Sequence, residues 1–203
     1  MKLRILTVAS ISCVFLILYA FAAPFYELIL EVNVVNIAKA QTSNATSTSI
    51  DTLFDRANSL DNQKRYAEAI PYWKQILSID STNIDALNSI ANDLDNLQRY
   101  NEAVPYYQKA LAINSSNLNA LTSLANDLDN LQRYDEAVTY WNQALAINST
   151  NIDALNSIAN DLDNLKRYNE AVTYYDKALS IDPNNSIALN GKANDLDILK
   201  NGG

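Results

Sequence analysis

The chain has 203 residues, a formal net charge of −8 and an isoelectric point near 4.4, which leaves no basic stripe for nucleic acid. It has no histidine and a single cysteine, Cys13, so the commonest general base and metal ligand are missing, as are any internal disulfide and any Cys-based zinc site. Three glycines against 27 asparagines argue for stacked helices with few tight turns.

Residues Ile5 to Ala23 are uncharged and mostly apolar, with Lys2 and Arg4 before them and Glu27 and Glu31 after. This asymmetry predicts the N-terminus inside and the remainder outside the cytoplasm. The 19-residue run is long for a signal-peptide core and just long enough to span a bilayer. Ala38-Lys39-Ala40 before Gln41 has the small-x-small form of a signal-peptidase site. Residues 1–40 are therefore either a cleaved signal peptide or a retained membrane anchor; the flanking charges argue against a buried core helix. Ser10-Ile11-Ser12 is a poor lipobox for lipidation of Cys13. Residues 41–49 (QTSNATSTS) read as a flexible polar linker.

From Ile50 the chain copies itself every 34 residues, and residues 84–117 and 152–185 agree at 27 of 34 positions. The units are 50–83, 84–117, 118–151 and 152–185, followed by a half unit, 186–203. Such a period means small units that bury a core only by stacking. In 84–117, Leu87, Ala91 and Leu94 lie on one face of a first helix, with Asn83 as its N-cap and Asp85 in its first turn. The second helix follows Tyr100, with Asn101 as its predicted cap, Pro105 in its first turn, and Ala103, Tyr107, Ala110 and Leu111 on its buried face. Nine helices are expected between Ile50 and the C-terminus. Arg56 in the first unit and Lys192 in the last stand where the inner units have Ile90, Leu124 and Ile158, as polar ends of a stack would.

The set Tyr100, Ala103, Tyr107 and Ala110 recurs as Tyr134, Ala137, Trp141, Ala144 and as Tyr168, Ala171, Tyr175, Ala178. In phase and composition this resembles the tetratricopeptide repeat over residues 50–203. The first unit departs from it, with Ile76 after Tyr66, Ala69 and Trp73. Pro183 matches the family's inter-repeat proline, while Ser81, Ser115 and Ser149 replace it elsewhere. The resemblance implies an all-α, right-handed helix-turn-helix solenoid of four full repeats and a C-terminal half repeat. It also implies a concave groove, lined by first helices, that binds a protein or an extended peptide.

At 100° per residue, Asp85, Asn88, Asn92, Asp95 and Asn96 fall opposite the apolar stripe. The third unit offers Asn119, Thr122, Asn126, Asp129 and Asn130 there. The fourth offers Asp153, Asn156, Asn160, Asp163 and Asn164, and the half unit Asn190, Asn194 and Asp197. One row is invariant: Asn58, Asn92, Asn126, Asn160 and Asn194. Asparagine is a mediocre helix former but can pair with the backbone of any peptide, so the row reads as a ladder gripping an extended chain. Near-identical units inheriting one ancestral asparagine would produce the same row. On this reading, alanine in the row leaves folding unharmed.

Asp61–Arg65, Asp95–Arg99, Asp129–Arg133 and Asp163–Arg167 are expected to be i,i+4 ion pairs. Asp93 and Asp95 are about 200° apart on one helix and cannot share an ion, and no EF-hand glycine loop is present, so calcium is not expected. The arc holds no lysine or arginine, which argues against a clamp for a partner's carboxylate. No histidine activates the serines and no glycine loop cradles phosphate, so neither catalysis, a cofactor, nor a small-molecule substrate is expected. Asn44, Asn114, Asn148 and Asn184 open N-x-Ser/Thr sequons, as many as chance gives in so asparagine-rich a chain. The expected protein is an extracytoplasmic scaffold, secreted or tethered by its N-terminal segment. The alternatives are an envelope component assembling by solenoid stacking, or a cytoplasmic-side assembly adaptor.

Overall fold

The computed structural model describes residue 36 and residues 49–202. Two compact units divide the chain, residues 1–51 and 52–203; the leader, the proposed cleavage site and Asn44 lie outside the described residues. Among the described residues there are nine helices between residues 49 and 201 and no strand. The described part of α1 covers 49–62. It is followed by α2 (Tyr66–Ile79), α3 (Ile84–Asn96), α4 (Tyr100–Ile113), α5 (Leu118–Asn130), α6 (Tyr134–Ile147), α7 (Ile152–Asn164), α8 (Tyr168–Ile181) and α9 (Ser186–Asn201). From α2 to α9 each helix packs on the next, and Phe54 of α1 meets Trp73 of α2, giving four pairs plus one. No helix of the described residues is long and apolar enough to cross a membrane.

Local chemistry fixes each boundary. Asn83, Asn117, Asn151 and Asn185 cap the first helices, each side-chain oxygen accepting from the backbone N–H three residues on at 2.9–3.1 Å. At the other end, Gln98 donates to Asp95 and Arg99 to Leu94 through the backbone, the two bonds of a Schellman stop. Lys64, Gln98, Gln132 and Lys166 sit in the left-handed region at φ 58–59°, where glycine would be at ease. Between repeats, Asp80, Asn114 and Asn148 accept from the backbone N–H two residues on, so Asn114 and Asn148 of the sequons hold turns.

Two expectations for the second helices are corrected. Asn101 is not a cap: α4 begins at Tyr100 behind Arg99, with no side-chain cap bond, because the Schellman stop already reverses the chain at Arg99. Pro105 consequently lies deeper than expected, inside the helix and past its first turn. Its counterparts Thr139 and Thr173 bond the carbonyls of Asp135 and Asn169, four residues back, so this exposed position does without a normal backbone bond or shares one.

The core is built from fully buried alanines (Ala91, Ala103, Ala110 and their copies in the four full repeats) with Trp73, Tyr107, Trp141 and Tyr175 between them. Small residues let the helices approach, and the rings fill the space left. The first helices come close to one another, α3 to α5 and α7 to α9. The second helices meet across repeats through long side chains, as Tyr174 with Asn142 and Arg167 with Asp135. The stack therefore curves with the first helices on its inner side. At the far end Lys192 pairs with Asp176 at 2.5 Å, but Ile187, Leu189, Leu196 and Ile198 of α9 remain exposed.

Each left-handed turn offers a clean test. Gln98→Gly and Gln132→Gly should each raise the unfolding free energy by up to about 1 kcal/mol, the relief of the left-handed cost less the added chain entropy. Urea denaturation measures this, and a loss of stability at both sites would contradict the turn assignment.

Candidate functional site: an amide and carboxyl groove

The inner face carries two kinds of polar row. In the asparagine row, Asn58, Asn126, Asn160 and Asn194 are exposed and Asn92 is half-buried. Tyr107 donates its hydroxyl to Asn92 Oδ1 at 2.6 Å. The Tyr175 hydroxyl lies 2.7 Å from both Asn160 Oδ1 and Asp163 Oδ2. Among the described residues Asn58, Asn126 and Asn194 have no side-chain partner; their repeats have Trp73, Trp141 or no second helix in place of the tyrosine. The other candidates divide. Asn96 and Asn130 donate to the carbonyls of Asn92 and Asn126, and Asn164 is exposed. Asn88 is half-buried with its Oδ1 unpartnered. Asn156 is buried and donates to Asn185, which takes it off the groove surface.

The i,i+4 aspartate–arginine pairs do not form. Arg65, Arg99, Arg133 and Arg167 grip Glu68, Glu102, Glu136 and Glu170 through two bonds each, at 2.6–2.8 Å. The cause is the chain reversal: each arginine lies beyond its left-handed residue, out of register with the helix that holds the aspartate.

Freed of arginine, the aspartates meet one another across repeats. Asp61 faces Asp93, Asp95 faces Asp127, Asp129 faces Asp161 and Asp163 faces Asp195, each within hydrogen-bonding reach. The first members are half-buried or exposed, Asp129 the most open, while Asp61 and Asp163 each have one oxygen buried and the other bonded to Trp73 or Tyr175; the second members lie beneath, Asp127 and Asp195 at 0% exposed. Burial, then the facing carboxyl, pushes Asp127 and Asp161 up to about 8 and Asp195 up to about 7. The same causes push Asp93 to about 8. Asp93, Asp127 and Asp161 thus hold their protons near neutrality, Asp195 about half of the time, and the protonated member can donate to its mate. Trp73 donates to Asp61 at 3.1 Å, whereas the buried Trp141 Nε1 is unpartnered. Sequence reasoning missed the buried members, although Asp93 recurs every 34 residues.

The tetratricopeptide repeat models match residues 50–83, 84–117, 117–149 and 152–185, more than half of the chain. The chain belongs to the tetratricopeptide repeat family. No curated protein matches its sequence. Among solved structures it is similar to "Crystal structure of MamA protein", with a TM-score of 0.66 and 18% identity over 75% of this chain and 88% of that one. It is also similar to "YrrB: a TPR protein with an unusual peptide-binding site", with a TM-score of 0.67 and 21% identity over 73% of this chain and 77% of that one. These likenesses concern the repeat fold. Within it, the carboxyl pairs sit where the first helices of successive tetratricopeptide repeats touch.

The pairs set a pH dependence. Their buried aspartates have folded-state values far above the ordinary 3.8, so the native state binds more protons and loses stability as pH rises from about 4 toward 8. The depressed carboxyls Asp80, Glu68, Glu102, Glu136 and Glu170 act oppositely, and their contribution fades only in acid. The melting temperature should therefore peak near pH 5 and fall toward pH 9. Asp127→Asn needs no proton to pair with Asp95, so it should raise the melting temperature at pH 8 and leave it near the parent's at pH 5. A flat or rising profile from pH 5 to 9 would contradict the pairs.

Proposed function

We propose that this tetratricopeptide repeat protein is an extracytoplasmic scaffold that holds a protein partner, as an extended segment, along its inner face. The observation that carries the reading is the asparagine row. In Asn92 and Asn160 a tyrosine hydroxyl engages the amide oxygen, which leaves the Nδ2 hydrogens to face outward as donors. In Asn58, Asn126 and Asn194 the whole amide is free among the described residues. A row of donors one repeat apart suits the carbonyls of an extended backbone and asks little of its sequence. The external location rests on Lys2 and Arg4 before the apolar run and Glu27 and Glu31 after it. Protease added to intact cells should digest the repeat domain, or the medium should contain it; a protected cytosolic domain would overturn the location.

The structure changes which asparagines make a fair test of the groove. Alanine at Asn92 removes the acceptor of the buried Tyr107 hydroxyl and should cost stability, whereas the Tyr175 hydroxyl keeps Asp163 when Asn160 is replaced. The Asn58→Ala, Asn126→Ala, Asn194→Ala triple variant should melt at or slightly above the parent temperature, since alanine is the better helix former. A partner recovered by cross-linked pull-down should bind this variant more weakly, by about 1 kcal/mol for each neutral hydrogen bond lost. Titration of that partner with undiminished affinity would remove the row from the contact.

A second reading, assembly through solenoid stacking, draws on the exposed Ile187, Leu189, Leu196 and Ile198 of α9. Sedimentation of the full chain over a hundred-fold concentration range decides it: a constant monomer mass excludes stacking.

A further inference from the structure

We propose that the row of inter-repeat aspartate pairs recognises a cationic extended segment, each pair receiving one lysine or arginine side chain of the partner. This rests on the groove reading above and names the chemistry of its occupant. Four pairs, Asp61–Asp93, Asp95–Asp127, Asp129–Asp161 and Asp163–Asp195, repeat at one phase of the first helices, and the second member of each is buried, Asp93 at 3%, Asp161 at 1%, Asp127 and Asp195 at 0% exposed. Two carboxyls in contact beneath a surface are a costly arrangement unless a positive charge or a proton lies between them.

Among the described residues no lysine or arginine is ion-paired to any of these aspartates. The turn arginines are engaged by glutamates, and Lys192 by Asp176. Around the pairs stand Trp73 on α2, Tyr107 on α4 and Tyr175 on α8. Tyr107 faces Asp93, Asp95 and Asp127, and Tyr175 faces Asp163 and Asp195. No lysine or arginine faces any pair among the described residues. Oxygens of Asp61, Asp93, Asp127, Asp161, Asp163 and Asp195 are buried without a partner other than the facing carboxyl.

A cationic side chain arriving from the groove meets the reachable carboxyl first. Its charge favours ionisation of the buried one, whose proton passes to the buffer. Two carboxylates then face one ammonium or guanidinium, and the asparagine donors beside them take the peptide backbone. Packed helices lie about 8–10 Å apart and an extended chain rises about 3.3 Å per residue, so a cation at every third residue matches the pairs.

The probes are three dodecapeptides, alike except for lysine, glutamine or glutamate at every third position, titrated calorimetrically into the full chain in neutral detergent. The lysine peptide should bind at least ten-fold more tightly than the glutamine peptide, the glutamate peptide should not bind, and added salt should weaken the lysine complex. At pH 7 the heat should vary with the ionisation enthalpy of the buffer, because protons are released. The Asp95→Asn, Asp129→Asn, Asp163→Asn triple variant, checked for an unchanged helical spectrum, should lose at least ten-fold for the lysine peptide only. Equal affinity for the lysine and glutamine peptides, or undiminished binding by this variant, overturns the proposal. If the glutamine peptide binds equally well and the Asn58/Asn126/Asn194 alanine variant weakens it, the groove reading stands and the cationic one falls. Absence of binding by all three peptides also overturns the cationic proposal, leaving the groove reading to its pull-down. Binding of calcium alone, abolished by the aspartate substitutions and with no preference for the lysine peptide, would make the pairs a metal site instead.

Discussion

A unit of two short helices cannot enclose a core, so each is held by the units on either side, and the contact between first helices sets the spacing of everything on the inner face. That contact depends on alanine. Ala86, Ala91, Ala103 and Ala110, with their copies other than Ala193 in the half unit, are fully buried, and a larger side chain at these places would push the helices apart. Close first helices bring two short aspartate side chains from successive repeats into reach. Longer side chains bridge the second helices, where Tyr174 reaches Asn142. The same packing that closes the core therefore creates the buried carboxyls and tightens the asparagine row.

Much of the architecture was legible because its signals are local and repeated. The period, the Asn83 cap and the Leu87, Ala91, Leu94 stripe each point to the same helix, and the described structure places all of them as read. The misplaced ion pairs and the misplaced start of α4 share one origin, treating the chain as helical across a turn. Asp95 and Arg99 are four residues apart, but Gln98 between them is left-handed, so the i,i+4 rule does not apply. The later start expected for α4 has the same source. Pro105 and Asn101 were read as signals of a helix start, whereas the Schellman bonds of the preceding helix decide where the chain turns.

The carboxyl pairs were legible only in part. About 200° separates Asp93 from Asp95 on one helix, which rules out an ion shared by those two residues. In a stack, the opposite flanks of a helix are the surfaces that meet its two neighbours. The angle that keeps Asp93 and Asp95 apart is what lets Asp95 reach forward to Asp127 while Asp93 reaches back to Asp61. A helical wheel drawn for one helix holds the angle but not the neighbours, and burial belongs to the stack.

The inner face is also less uniform than its near-identical repeats suggest. The ring beneath it alternates, Trp73, Tyr107, Trp141, Tyr175, and the two rings reach different acceptors. A tyrosine hydroxyl reaches the asparagine of its own repeat, at Asn92 and Asn160. The indole N–H of Trp73 reaches the aspartate Asp61 instead, and that of Trp141 finds no partner. Held amides at Asn92 and Asn160 thus alternate with free ones at Asn58 and Asn126. A held amide has lost its rotational freedom before a ligand arrives and gives up less entropy on binding. A free one can turn to present either its oxygen or its nitrogen. The donor row accordingly has a period of two repeats, with fixed points at every second step and adaptable amides between them. A single-repeat substitution of tyrosine for tryptophan is enough to move a site from one class to the other.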